Sequence, residues 1–381
     1  MAEWIECKIS DIGTVVGGAT PSTKKIENYE GGNIAWITPK DLSTLSGRYI
    51  QCGERNITEI GLKSCSTQLL PKNTVLFSSR APIGYVSIAA NEVCTNQGFK
   101  SVIPNEATDP LFLFYLLKYN KNKIEAMGSG TTFKEVSGNT MKNIIVRVPS
   151  DKEVQKNIAS VLGTLDDKIE ENERINNNLL QQAEALFRKR FLSCNELPFG
   201  WARMALGDIS DMSAGGDKPQ IISNQKTEEH QYPVYSNGIS DEGLYGFTTD
   251  YKISAESVTV SARGTIGFVC LRHIPYTPIV RLVTLVPHTN IVSAKYLYLW
   301  LKSVPIHGTG TTQQQLTVPD FRKTEILIPP KADMREFTET VNSLFQQVWA
   351  NQEENTKLAD IRDTLLPRLM SGELDVSSIE I

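Results

Sequence analysis

The stretch DKEVQKNIASVLGTLDDKIEENERINNNLLQQAEALFRKRFL, residues 151–192, decides how the rest of the chain is read. Its apolar residues fall at Val154, Ile158, Val161, Leu165 and Ile169, then at Ile175, Leu179, Ala183 and Leu186. Gaps of mostly three and four place them in one stripe along a helix. At about 1.5 Å per residue, about 40 residues make a rod roughly 60 Å long, far beyond the mean globular helix of about 11–12 residues. The stripe is narrow and flanked by charge, as in Asp166-Asp167-Lys168-Ile169-Glu170-Glu171. That pattern predicts pairing with one partner helix rather than burial in a broad core.

A stretch of the same kind begins about 180 residues later, at Lys331. It places Phe337, Val341, Leu344, Val348, Leu358, Ile361, Leu365 and Leu369 on its seam. Both seams turn polar midway, at Asn172 and Asn176 in the first helix and at Asn351, Gln352 and Asn355 in the second. Either the rods are locally weak and solvated there, or polar seam residues fix their register.

Outside the rods the chain repeats itself. Trp4, Ile9, Asp11 and Ile12 return as Trp201, Leu206, Asp208 and Ile209; residues 79–86 return as 262–269, and 111–118 as 295–302. Gly128-Ser129-Gly130-Thr131-Thr132 returns as Gly308-Thr309-Gly310-Thr311-Thr312, and 144–149 as 324–329. Matches kept in one order identify a duplication. Each copy reads as short strands broken by turn residues such as Gly31-Gly32-Asn33 and Pro71-Lys72-Asn73, with one apolar helix at 109–119. The fold class is therefore α+β: two mixed globular domains at 1–150 and 197–330, with spacer helices at 151–196 and 331–381.

Each globular domain ends at a proline junction, Val148-Pro149-Ser150 or Ile328-Pro329-Pro330, and Ser150-Asp151 suits the cap of the helix that follows. Asn195-Glu196-Leu197 after the first helix matches Gly372-Glu373-Leu374 after the second. The order domain, helix, domain, helix is thus circular, and the C-terminus is expected near the N-terminus. The rods are expected to close as an antiparallel two-helix coiled coil with pseudo-two-fold symmetry.

Charge follows the same division. The chain carries 39 basic and 43 acidic side chains, net −4. Residues 151–192 hold 7 basic and 8 acidic groups and residues 331–381 hold 5 and 10, so the acid sits on the rods. Residues 1–150 hold 16 basic against 13 acidic groups. That permits nucleic-acid binding by the globular parts, with a partner supplying much of the phosphate neutralisation. Six scattered cysteines without a C-x-x-C pair, and only 4 histidines, argue for free thiols and against a zinc site. No run is long and apolar enough to span a bilayer, and Met1-Ala2-Glu3-Trp4 does not open a leader, so a cytoplasmic location is expected.

Catalytic signatures are missing. The loop from Gly128 to Lys134 lacks the Gly-Lys-Ser/Thr end of a phosphate-binding loop, and neither G-x-G-x-x-G nor G-x-S-x-G occurs. Ile328-Pro329-Pro330-Lys331 lacks the acid or amide and the aromatic of an adenine-methyltransferase motif, and Pro319-Asp320 with Glu325 lacks the lysine of a nuclease site. Polar loop groups that occur twice remain. Arg80 and Arg263 each precede an Ile-Gly turn and could reach a guanine edge or a phosphate, or form an ion pair inside the domain. Thr131, Thr132 and Lys134, and opposite them Thr311, Thr312, Gln313 and Gln314, suit phosphate and base contacts or an ordinary exposed loop. Lys40, Asn96, Gln97 and Asn237 are weaker candidates.

On these features the chain resembles the DNA-specificity (S) subunit of type I restriction–modification enzymes. The resemblance rests on the duplicated unit, the paired long helices, the Gly-x-Gly-Thr-Thr loops at 128–132 and 308–312, and the closing segment from Leu365-Leu366-Pro367-Arg368 to Gly372-Glu373-Leu374. It implies that the globular domains are target recognition domains, each reading half of a split double-stranded DNA site. The helices would set the half-site spacing and dock two methyltransferase (M) subunits. The chain itself would lack activity; S-adenosylmethionine, ATP and Mg would belong to the M and restriction/translocase (R) subunits. The competing reading is a coiled-coil adaptor whose duplicated domains bind something other than DNA.

Overall fold

The computed structural model describes residues 3–80, 82–130, 134–193, 199–308 and 315–376. The chain divides into two compact units, residues 1–174 with 351–381, and residues 175–350. Each unit therefore contains part of both long helices, Lys152–Phe191 and Lys331–Ser371.

In the first unit, Trp4–Lys8 pairs antiparallel with Ile145–Pro149, Trp4 lying opposite Pro149. A five-stranded sheet runs Gly13–Gly17, Lys100–Pro104, Val75–Ser79, Ile83–Ala89, Tyr49–Ile50. A three-stranded sheet runs Arg55–Ile57, Ile34–Ile37, Cys94–Thr95, its first pairing antiparallel and its second parallel. The helix Pro110–Tyr119 buries six consecutive residues from Phe112 to Leu117, and its amide ends are capped by the Asp109 carboxylate at 2.9 Å.

The second unit repeats this plan. Ala202–Ala205 pairs antiparallel with Glu325–Ile328 in the same register, Ala202 opposite Ile328. Its larger sheet runs Ser210–Ala214, Val283–Pro287, Ser257–Val260, Val269–Arg272. Its three-stranded sheet runs Leu244–Thr248, Tyr232–Tyr235, Thr277–Pro278, again one antiparallel and one parallel pairing. The duplication read from scattered residue matches is therefore a duplication of strand order and pairing sense. Tyr49–Ile50 is the strand by which the first sheet exceeds the second.

Within each unit the two helical segments run antiparallel. In the first, the Arg362 guanidinium donates to Asp166 at 2.6 Å and the Asn172 amide to Asn355 at 2.8 Å. In the second, Phe187 and Phe337 stack edge-on at 6.0 Å, and Arg190 donates to Glu336 at 2.8 Å. Ile158, Val161, Phe337, Val341 and Val348 are buried seam residues; Leu165, Ile169, Leu179, Leu344, Leu358 and Leu365 are half-buried.

Two seam assignments are corrected. Leu186 is 40% exposed and Ile361 48% exposed, whereas Phe187 and Phe345 are buried. A step of four from Ala183 lands on Phe187, which the 3.6-residue period favours over the step of three to Leu186. The expectation of a narrow partner-only stripe is corrected too. Ile158, Ala159, Val161 and Leu162 form part of the first unit's globular core, and Phe187, Phe191 and Phe337 cluster around Tyr296 in the second. The apolar face is wide enough to serve both a helix and a domain.

The circular closure is observed inside the first unit. The second helix ends at Gly372 with φ +76°, where a Cβ would lie 2.7 Å from Trp4 Nε1. The Arg147 guanidinium donates to the Ser371 carbonyl at 3.1 Å and lies over the Trp4 ring. Leu374 and Val376 then pack on the first unit's core.

One further contact ties this unit's globular part to its helix. Arg48, 5% exposed, donates to Glu170 at 3.0 Å, to the Gly163 carbonyl at 3.2 Å and to Asp167. Ser46 donates to Glu173 at 2.6 Å beside it. Next to this cluster the Tyr115 hydroxyl donates to Asp166 at 2.5 Å; burial and then the Asp166 charge push the phenol above its ordinary range.

Candidate nucleic-acid interface

The two arginines of the repeat occupy equivalent positions. Arg80 follows Val75–Ser79, and its backbone bridges Glu135. Its guanidinium lies 3.7 Å from the Glu135 carboxylate, which also takes the Lys100 ammonium at 3.4 Å. Ser129 and Glu135 exchange backbone hydrogen bonds at 2.9 and 3.0 Å, closing the Gly-rich loop at its stem. The Gly128 Cβ position faces the Ile83 methyl at 3.3 Å, so glycine lets the stem approach the turn.

In the second unit Arg263 donates to the Gln315 side chain at 3.1 Å, and Leu316 donates its amide to the Ala262 carbonyl at 3.0 Å. Gly308 faces the Ile266 methyl as Gly128 faces Ile83. The frame is the same, but Gln315 stands where the first unit has Glu135. Arg263 thus has a neutral partner, while Arg80 and Lys100 share one carboxylate. A cleft of about 200 Å³ opens at the second stem, lined by Val304, Ile306, His307, Gln315 and Phe321 among others.

The weaker candidates are placed as follows. The Lys40 ammonium pairs with Glu54 at 2.7 Å on the surface, which raises the lysine pKa and lowers that of the glutamate. The Asn96 carbonyl oxygen accepts from the Gly98 amide at 2.8 Å, and Gln97 accepts from Thr20. The Asn237 amide donates to the Val280 carbonyl at 2.6 Å and its oxygen accepts from Ala262 N at 2.7 Å, so both ends hold the chain itself. Lys134 is exposed and makes no ion pair among the described residues. Thr131, Thr132, Thr311, Thr312, Gln313 and Gln314 lie outside the described residues.

The repeat also pairs the candidates Asn96 and Gln97 with Val280 and Arg281, which motif reading missed. Asn96-Gln97-Gly98-Phe99 follows the strand Cys94–Thr95, and Ile279-Val280-Arg281-Leu282 follows its counterpart Thr277–Pro278. Asn96 N donates to Ile37 O at 3.0 Å, and Ile279 N to Tyr235 O at 2.9 Å. The two turns are entered by the same backbone hydrogen bond, but they differ in side chain and in backbone: Val280 and Arg281 have positive φ and Gln97 and Gly98 do not. Among the described residues no group of three or more His, Cys, Asp or Glu is placed to hold a metal ion, and no helix is long and apolar enough to cross a membrane.

Two copies of one frame whose stems and turns carry different polar groups define a tandem recognition protein. The family model described as the type I restriction modification DNA specificity domain matches residues 1–181 and again residues 198–359. The chain belongs to that family and contains the family's DNA specificity domain twice. It is 35% identical over 99% of its length to the type I restriction enzyme MjaIX specificity subunit of Methanocaldococcus jannaschii, covering 95% of that protein. It is 24% identical over 98% of its length to the HindI specificity subunit of Haemophilus influenzae, covering all of it at 100%. The crystal structure of an S subunit from M. genitalium matches the fold with a TM-score of 0.60 at 19% identity, over 97% of this chain and 96% of that one. Against a family defined by DNA specificity, the reading as an adaptor that binds no DNA loses its support.

Proposed function

We propose that this chain is the sequence-reading subunit of a type I restriction–modification complex, each unit reading one half of a bipartite double-stranded DNA site. The observation that carries the reading is the kept frame with an exchanged stem residue: Arg80 on Glu135 in one copy, Arg263 on Gln315 in the other. A frame that holds an arginine at a turn suits contact with a guanine edge or a phosphate.

The long helices set the gap between half-sites and dock two methyltransferase subunits, their acidic exposed faces being offered to protein rather than to DNA. The chain contributes recognition and no catalysis. S-adenosylmethionine, ATP and Mg²⁺ belong to the methyltransferase and restriction/translocase partners, in the cytoplasm.

Mapping modified adenines in DNA from cells that carry the complex tests this. Two short specified patches separated by an unread gap are expected. Deleting one heptad from each helix should shorten that gap, since about 10.5 Å of helix is removed and one DNA turn is about 34–36 Å. A contiguous target, or a gap indifferent to helix length, would refute the proposal.

A further inference from the structure

The turn Val280-Arg281 in the second unit is held in a conformation that its residues resist. Val280 has φ +52° and Arg281 φ +62°, two consecutive non-glycine residues in the left-handed region. A β-branched residue there is a backbone outlier, and such outliers persist only where surrounding contacts over-determine them. Those contacts are present. Val280 N donates to Gly216 O and Arg281 N to Gly215 O, each at 2.9 Å, and the Val280 carbonyl accepts from Asn237 at 2.6 Å.

The side chains so presented are not used by the fold. Val280 is 50% exposed, and Arg281 is exposed without an ion pair among the described residues. Glycine would adopt both conformations without strain, so stability alone does not explain valine and arginine here. Asn237 adds the position: one amide joins Val280 to Ala262, the residue before Arg263. The two arginine-bearing turns are therefore neighbours. The Lys252 ammonium lies 3.3 Å from the Gly216 Cβ position on the same side of the unit, and it too has no ion pair among the described residues. The turn at the same place in the first unit carries Asn96-Gln97-Gly98, a different set of polar and small groups, and has no positive φ at Gln97 or Gly98, so the left-handed pair belongs to the second unit.

We propose that the Val280-Arg281 turn is a base-reading element of the second unit. Arg281 reads a base edge, with the guanine O6 and N7 pair as the best match for its fork of donors, and Val280 packs on an adjacent apolar group such as a thymine methyl. Asn237 is a positioning residue that sets this turn beside Arg263. This inference rests on the DNA-reading function proposed above and assigns residues to one of its two half-sites.

The test replaces Arg281 with glycine in the chain assembled with its methyltransferase subunits, and measures modification of a randomised duplex library. Arg281→Gly relieves the strained φ, so the thermal midpoint should hold or rise. Discrimination at one position of one half-site should fall about tenfold or more, the other half-site being unchanged. A falling midpoint with unaltered sequence preference would make Arg281 structural and overturn the inference. So would uniform weakening on all sequences with the salt slope reduced by about one, the mark of a phosphate contact. Unchanged modification overturns it as well. Absence of any bipartite preference in the wild-type complex would instead remove the underlying function, whatever the variant does.

Discussion

Asn172 donates its side-chain amide to Asn355 at 2.8 Å and to Glu354 at 2.7 Å while only 1% exposed. The Asn355 amide reaches back toward the Ile169 carbonyl at 3.4 Å. A buried amide that finds partners in one alignment of two helices and loses them in any other specifies that alignment at some cost in stability. These bonds favour the register reading of the polar seam over that of a weak solvated stretch, and they make it testable. Replacing Asn172 and Asn355 together with leucine should raise stability by about 1–2 kcal/mol, as burial of apolar volume replaces a polar pair. The same double variant should accept half-site gaps on either side of the wild-type one in a modification assay. If the variant gained stability yet kept a single gap, the seam would have no part in register.

Arg48 and Gly163 are a second coupled pair. A Cβ on Gly163 would lie 3.2 Å from Arg48 Nη1 and 3.1 Å from Leu111 Cδ2. Because Asp167 and Glu170 also hold the guanidinium, it has little freedom to move away. Arg48→Ala should cost about 2–3 kcal/mol in urea unfolding, below the full buried-pair range because Asp167 is largely exposed. Arg48→Lys should not restore it, since an ammonium lacks the fork that meets a carbonyl and two carboxylates together. Gly163→Ala should destabilise the wild type, yet stabilise the Arg48→Ala background by up to about 1 kcal/mol through helix propensity. A Gly163→Ala effect of the same sign in both backgrounds would remove the coupling.

Arg48 also marks the limit of what could be read beforehand. The duplication was legible because Trp4/Trp201, the Arg-x-x-Ile-Gly turns and the Gly-x-Gly-Thr-Thr loops recur at matched places, and a repeated backbone needs the same residues at its tight points. The antiparallel helices followed from circular order and seam spacing. Arg48 was not legible, because its carboxylate partners lie more than 100 residues away and its own neighbours Gly47 and Tyr49 form no motif. The Val280-Arg281 turn escaped for the opposite reason: it lies where the two copies differ, and only the shared backbone bonds align it with Asn96-Gln97. Leu186 and Ile361 were misplaced because counting threes and fours leaves a one-residue ambiguity at each turn of helix.

Cys270 offers a pH test confined to the second unit. Burial pushes its thiol up to about 12 from an ordinary 9.0, with Arg272 opposing and Glu242 adding. A raised folded pKa stabilises fully below pH 9.0 and is lost as pH climbs through about 12. Wild-type stability should therefore fall by about 1.4 kcal/mol per pH unit from this thiol alone in that window. Other groups titrate there too, including buried tyrosines, so the comparison is with Cys270→Ala. That variant should be less stable at pH 8 because of its cavity, and its deficit should shrink steadily above pH 9. A deficit independent of pH would show that the thiol does not hold its proton in the folded state. Thiol labelling at neutral pH should agree: exposed Cys52 reacts at once, and Cys94 and Cys270 only on unfolding.

Glu135 separates a structural from a DNA-contacting role for the first arginine. Its carboxylate is shared by Arg80 and Lys100, at 3.7 and 3.4 Å, and its counterpart Gln315 is neutral. Glu135→Gln would make the first stem chemically like the second while keeping a hydrogen-bonding side chain for Arg80. The exposed ion pair with Arg80 contributes at most about 1 kcal/mol, so the unfolding midpoint should hardly move. If Arg80 and Lys100 meet phosphates, removing their carboxylate should strengthen binding of the assembled complex to duplex DNA severalfold at low salt. It should also steepen the fall of log K with log salt by about one unit, because a cation formerly balanced inside the protein now displaces a counterion. Equal affinity and slope for Glu135→Gln and wild type would confine Arg80 to pinning the loop stem.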